Sequence, residues 1–294
     1  MKIKDFEASN LLKDNIPLDD FFGMTRNDIH VLLYYTFSEK SPVQLRSDID
    51  NSTLDRISFF RIVEEFLKII EREKIIKLTP LGALPKKVMV ELYSYKFIPD
   101  EFIESGLVKL MRQENCISIQ TAWITTRIAR VVKNTSGYLS LTKTGIKLLK
   151  PENRTQLFRA ILSTFTEKFS WPFNDGYPEQ PIGQLGWAFT ILLLHKFGDQ
   201  AKTVEFYSEK YLAMFPRFIL LFDSDFSTPE SEFANCYGIR SFERFLLWFG
   251  FVTVEKSGKY SDIEKDKYLA SDLIEKLFNF DFIDRKPQNA IILN

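Results

Sequence analysis

One stretch, Ile117–Gly145, constrains this chain more tightly than any other: ISIQTAWITTRIARVVKNTSGYLSLTKTG. It reads as a helix, a strand, a turn, a second strand and the start of a new helix. NTSG supplies the turn between ARVVK and YLSLT, because Asn, Ser and Gly accept the locally hydrogen-bonded and left-handed backbone that reverses a chain. Thr142 is placed to cap the next helix, its hydroxyl taking an amide that has no partner inside the helix. Gly145, one turn in, leaves room for a neighbouring element to come close. A helix followed by a two-stranded wing is the closing half of a winged-helix unit, with the wing expected near 128–142.

The closing phrase has an echo in IKLTPLGALPKKV, Ile76–Val88, where an apolar pair again precedes Leu-Thr with a Gly three residues on. Here Thr79 is the expected cap and Pro80 the first helical residue, a position Pro favours. Pro85 must interrupt that helix and restart it as PKKVMVELYSYKF. A weaker copy lies in RSFERFLLWFGFVTVEKSGKYSDIEKDKYLASDLIEKLF, with EKSGKYSD in a wing near 251–269 and Ser271 where the Thr would be, but no Gly. The three copies predict a mainly α chain with short β-hairpins, built from tandem winged-helix-like units.

Upstream, Thr25 with Asp28 three residues later forms a capping-box pattern for the helix in MTRNDIHVLLYYTF. TLDRISFFRIVEEFLKIIEREK reads as a long amphipathic helix and KIIKLT as the strand after it. The chain holds 28 Phe, many at helical spacing in FFRIVEEFLKII, FRAILSTFTEKF and FERFLLWFGF, which marks core stripes. At 294 residues and 45% hydrophobic it can bury two ordinary cores. Pro172, Pro178 and Pro181 in FSWPFNDGYPEQPIG exclude continuous helix, which places a connector at 169–182. The expected division is a helical domain, 1–168, and a C-terminal winged-helix-like domain, 183–294, with one fused body as the alternative.

KLTPLGALPKKVMVELY, YLSLTKTGIKLL, GMTRNDIHVLLYYTFSEKSPVQL and FSWPFNDGYP resemble a group of uncharacterised bacterial proteins. These are related to the C-terminal helical region of the Ri-plasmid open-reading-frame-three-like proteins, and some carry a SEC-C zinc motif. The likeness covers about residues 20–180 as a pattern. The resemblance brings no activity with it, and without a Cys-rich tail it implies no zinc site here.

Catalytic, cofactor and metal motifs are absent from the sequence. There is no P-loop, and Gly183 and Gly186 in IGQLGW do not make a dinucleotide fingerprint. His30 and His195 have no HExxH-type partner and read as structural residues. Asp223 and Asp225 in FDSDF offer too few oxygen ligands for a hard cation and read as an acidic turn. Cys116 and Cys236 fit no metal or redox spacing and read as free thiols in a reducing compartment. No Ser or Cys sits in a nucleophile elbow. The opening MKIKDFEASN is charged where a secretory leader needs an apolar core, and WAFTILLL is too short to span a bilayer. A cytoplasmic protein with no cofactor and no membrane partner is expected.

Lys plus Arg and Asp plus Glu each total 39, so no global field draws the chain to a polyanion. Locally the balance breaks, for Asn115–Pro151 contains no acid but holds Arg127, Arg130, Lys133, Lys143, Lys147 and Lys150. If Ile117, Ile124, Ile128 and Val131 face the core, then Gln120, Trp123, Arg127 and Arg130 line the opposite face. Such a face reads base edges in a major groove, with Lys133, Lys143 and Lys147 reaching phosphates. Double-stranded DNA is therefore one expected partner. A protein partner or a second copy of the chain is the other, since winged-helix units also dock proteins and Trp123 is equally suited to a core. In the C-terminal copy Arg240 and Arg244 flank Glu243 and the wing is nearly charge-balanced, which suits docking better than phosphate binding.

Overall fold

The computed structural model describes residues 16–173, 175–223, 227–258 and 263–280, which are mainly helical with small antiparallel sheets. The chain enters α1, Arg26–Tyr34, through the capping box: Asp28 N donates to Thr25 Oγ1 at 3.1 Å and Thr25 N to Asp28 Oδ2 at 2.8 Å. β1 is Gln44–Leu45. Asp50 caps the short helix α2, Asn51–Asp55, by accepting from Thr53 N at 2.8 Å. α3, Ser58–Glu73, buries Phe59, Ile62, Val63, Phe66, Leu67 and Ile70 on helical spacing. Lys74, with φ 60°, ends it, and β2, Ile76–Lys77, follows.

Next come α4, Lys86–Ser94, and α5, Glu101–Glu104, the latter capped by Asp100. α6, Ile117–Ile128, leads into β3, Val132–Thr135, and β4, Tyr138–Leu141, then α7, Lys143–Leu148, and α8, Arg154–Glu167. Beyond Trp171 run α9, Trp187–Phe197, β5, Lys202–Thr203, and α10, Val204–Met214. α11, Pro229–Tyr237, passes into a π-helix, Gly238–Leu246. β6, Val252–Glu255, β7, Lys267–Ala270, α12, Leu273–Leu277, and β8, Phe278–Asn279, complete the described chain.

Two compact units divide these elements, and they interleave in sequence. The first takes the described residues of 16–46, 185–237 and 255–280; the second takes those of 47–184 and 238–254. This differs from consecutive domains at 1–168 and 183–294, and the segment 169–182 belongs to the second unit. The reason is aromatic burial. Trp171 is buried, its ring 5.6 Å from Phe165 and 5.1 Å from Phe245, and its Nε1 donates to Phe165 O at 2.9 Å. Arg240, fully buried, pairs with Asp175 and donates to Pro178 O and Gln180 O at 2.9 and 2.8 Å. Prolines exclude helix from this segment, but they do not stop it packing.

In the second unit β4 lies between β2 and β3, all antiparallel, with Lys77 and Thr135 both opposite Tyr138 and Lys133 opposite Ser140. Ser136 and Gly137 form the two-residue turn, both at positive φ, as the twist of a tight hairpin demands. Around α3 the core is aromatic: Phe59 stacks on Trp248 at 5.7 Å and meets Phe165 edge-on at 5.1 Å. Glu64, buried on α3, receives Arg154 Nε at 2.6 Å and Nη2 at 2.8 Å, which fixes the start of α8. In the first unit β5 pairs with β7 and β1 with β8, over a core that includes Tyr211 and Tyr237 at 4.7 Å. Tyr237 is fully buried, with its hydroxyl 2.9 Å from Thr190 Oγ1, and burial pushes its phenol well up.

A helix–strand–helix–helix–strand–strand order occurs twice along the chain. It runs through α3, β2, α4, α6, β3 and β4, with α5 inserted, and again through α9, β5, α10, the α11–π helix, β6 and β7. In both runs the strand after the first helix pairs with the last strand. The repeated Leu-Thr phrase does not mark this repeat. Thr79, read as a helix cap, instead closes a turn: its N donates to Ala83 O at 2.9 Å and its Oγ1 accepts from Ala83 N at 3.0 Å. Pro80 lies in that turn, and the helix begins only after Pro85. Ser271 does not cap α12: its Oγ accepts from Leu273 N at 3.3 Å, while the cap position is Asp272, whose side chain makes no cap bond.

Candidate nucleic-acid interface

The cations of the acid-free run lie along the end of α6, the hairpin and α7: Arg127 on α6, Arg130 just after it, Lys133 on β3, Lys143 and Lys147 on α7, and Lys150 after it. Helix α6 buries Ser118, Ile119, Thr121, Ala122, Trp123, Thr125 and Thr126, more than a single stripe, because it packs against both α3 and α8. The face expected to point outward turns inward. Trp123 is 4% exposed and meets Phe66 edge-on at 6.2 Å. Gln120 is half-buried, with Oε1 enclosed and without a hydrogen-bond partner. Ile117, Ile124 and Ile128, expected in the core, are only half-buried. Trp123 is therefore corrected from a base-reading candidate to a core residue, and Gln120 is half-buried rather than on an open face. The physical reason is that a helix held between two neighbours turns its bulkiest ring inward, while buried Thr126 bonds back to the helix through Oγ1 to Trp123 O at 2.9 Å.

Arg127 ends that stripe and is exposed, its guanidinium 5.1 Å from the Trp123 ring centroid. Arg130 is exposed and left-handed, with φ 57°, in the position after a helix where Gly usually sits. Its amide donates to Arg127 O at 3.0 Å, and that of Val131 to Thr126 O at 3.2 Å.

The sheet presents the next group. Residues opposite one another across a ladder share a face, so Lys77, Thr135 and Tyr138 lie together, with Lys133 and Ser140 two positions along. Lys77, Lys133, Thr135 and Tyr138 are exposed, whereas Ile76, Val132 and Leu139 on the other side are buried. Lys77 and Tyr138 were missed in the sequence, because β2 is remote from the hairpin and only the register brings it alongside. The alternation in YLSL was the available signal for Tyr138.

α7 is docked by the Thr142 and Gly145 pair. Thr142 Oγ1 accepts from Gly145 N at 2.9 Å and donates to Arg130 O at 2.8 Å, while Thr142 N donates to Val131 O at 3.0 Å. A Cβ on Gly145 would stand 2.0 Å from Val131 O. This contact fixes Lys143 and Lys147, both exposed and one turn apart, relative to Arg130.

Among the described residues, Arg127, Arg130, Lys133, Lys143, Lys147 and Lys150 form no ion pair, and neither does Lys77. The contrast within the same unit is sharp, since Arg61, Lys68, Arg72, Lys96 and Arg154 all pair with carboxylates. Arg240 is neutralised by Asp175.

Other candidate chemistry is tied up locally. His195 Nδ1 lies 2.6 Å from Glu275 Oε1 and its ring stacks on Phe280, while His30 packs against Tyr34 and Tyr35. Cys116 and Cys236 are buried and form no disulfide, and burial pushes the Cys116 thiol up. Asp225 lies outside the described residues, as does part of the C-terminal wing, 259–262. Among the described residues no cluster of His, Cys, Asp and Glu is arranged to hold a metal ion, and no helix is long and apolar enough to cross a membrane. No family model, curated protein or solved structure matches this chain.

Proposed function

We propose that the second unit is a winged-helix-like module that binds double-stranded DNA through its phosphate backbone, with β3–β4 as the wing. The observation that carries this reading is the set of exposed cations from Arg127 to Lys150 without one ion pair among the described residues, in a run free of acids. Unpaired cations on one surface neutralise phosphates and release condensed counterions, which is the main source of non-specific affinity. The order of α3, β2, α4, α6, β3 and β4 and the strand order β2-β4-β3 support a winged-helix topology. The later helix–strand run supports a tandem arrangement, but with Arg240 held by Asp175 the phosphate contact rests on the earlier run.

With Trp123 buried and Gln120 half-buried, little of the expected base-reading face of α6 beyond Arg127 is exposed. Arg127, Arg130, Lys133, Lys143 and Lys147 then contact backbone, and binding is insensitive to sequence. A labelled duplex of random sequence, titrated with the chain at several salt concentrations and followed by fluorescence anisotropy, tests the reading. Affinity should fall steeply with salt, by about 0.9 log units per log unit of salt for each phosphate contacted. Absence of binding at low salt refutes it. A second reading, a protein-docking module, is favoured by exposed Leu81, Phe102, Leu107 and Met111. It predicts self-association or partner capture in a size measurement.

A further inference from the structure

Beside the wing an open groove of about 550 Å³ runs between the end of α6 and α8. Ile128, Ala129 and Arg130 line one side, and Ala160, Ser163 and Lys168 the other. It opens broadly to solvent, and the small side chains of Ala129, Ala160 and Ser163 leave room for a chain to lie along it. Arg130 and Lys168 are both exposed and form no ion pair among the described residues. The nearest acid in sequence, Glu167, forms none either.

Arg130 is held in a left-handed conformation that Gly would adopt without strain. Lys74 ends α3 at a similar positive φ, so this backbone is a helix stop; at Arg130 it falls between α6 and the wing, on a residue that lines the groove. The groove's two cations belong to the same unit as Lys77 and Lys133 and, like them, form no ion pair among the described residues. Charge complementarity selects one occupant, a polyanionic strand.

We infer that the groove seats one sugar–phosphate strand of the bound duplex, with Arg130 and Lys168 on its phosphates. The inference rests on the nucleic-acid reading above and adds the path of the backbone, from the wing lysines across Arg130 into the groove. Lys168, outside the acid-free run, becomes a contact residue, and the footprint extends onto α8.

Four proteins decide it in the anisotropy assay: the wild-type chain, Lys77→Ala with Lys133→Ala in the wing, Arg130→Gly with Lys168→Ala in the groove, and Ala160→Leu, which fills the groove without changing charge. Gly suits the left-handed backbone at 130, so folding is retained. The groove pair should lower duplex affinity about tenfold at low salt and reduce the magnitude of the salt slope by about 2, one unit per lost phosphate. Ala160→Leu should weaken binding at unchanged net charge. If both groove variants bind with wild-type affinity and slope while the wing variant loses binding, the groove is overturned and the nucleic-acid reading stands. If the wild-type chain binds no duplex at low salt, the nucleic-acid reading fails and the groove inference with it.

Discussion

Adding one methyl group at Gly145 should unseat α7. An ideal Cβ there falls 2.0 Å from Val131 O and 3.0 Å from Val131 C, so α7 and the Arg130–Val131 backbone must part by roughly 1.4 Å to restore ordinary contact. Both sides are main chain, so no side chain can swing away to make room. Three hydrogen bonds depend on the joint: Thr142 Oγ1 to Arg130 O and Thr142 N to Val131 O cross it, and Gly145 N to Thr142 Oγ1 caps α7 through the same hydroxyl. At about 1 kcal/mol net for each, their loss costs about 3 kcal/mol. The better helix propensity of Ala returns about 1 kcal/mol. Gly145→Ala should therefore destabilise the second unit by about 2 kcal/mol, a sizeable share of a typical domain's 5–15 kcal/mol. Urea unfolding followed by tryptophan fluorescence measures it, and Trp123 and Trp171 report from the interior of that unit. A variant as stable as the wild type, or more stable, would refute the close-approach argument, for it would mean that Gly145 is merely a weak helix residue.

Two further outcomes follow from the geometry. Glu64 is 3% exposed and accepts two bonds from Arg154, whose other partners are Asp55 and Asn51, so Glu64→Ala removes two charge-assisted bonds from a half-buried guanidinium and should cost about 2 kcal/mol in chemical denaturation; replacing both partners with apolar residues should recover much of that loss. The Tyr93 phenol is pushed up to about 12 by burial and by its bond to Glu104, against an ordinary value of about 10. A raised folded value means that this contribution to stability is intact below about pH 10 and is lost as pH rises towards about 12. Unfolding curves for the wild type and Tyr93→Phe should thus converge over that interval, and parallel pH profiles would contradict the assignment.

Local features could be read without the fold because their partners lie within a few residues. The Thr25–Asp28 capping box, the Thr142 cap with Gly145 three residues on and the hairpin turned at Ser136–Gly137 are all satisfied inside one short stretch. The long helix α3 was legible for a related reason: its apolar rows repeat at helical spacing over many residues. The charge of the candidate interface was legible as well, since an acid-free run is a property of sequence alone.

The same words proved insufficient wherever a distant element decided the outcome. Leu-Thr followed by Gly caps α7 at Thr142 but closes a turn at Thr79, because at Thr142 the carbonyls of Arg130 and Val131 receive the cap while at Thr79 the bonds close on Ala83. The phase of α6 depended on α3 and α8 holding it from two sides, which turned Trp123 inward and left Arg127 and Arg130 of its stripe exposed. Lys77 joined Tyr138 and Lys133 through the pairing of β2 with β4, a register that no local periodicity encodes. The proline-rich segment 169–182 was decided by the buried Arg240 and by the ring of Trp171. Sequence alone determined which short stretches form helices and turns and where unpaired positive charge accumulates, because those depend on neighbours along the chain. Tertiary structure alone decided which faces are buried and which remote residues share a surface, because that free energy comes from apolar area and hydrogen bonds supplied by elements far away in sequence.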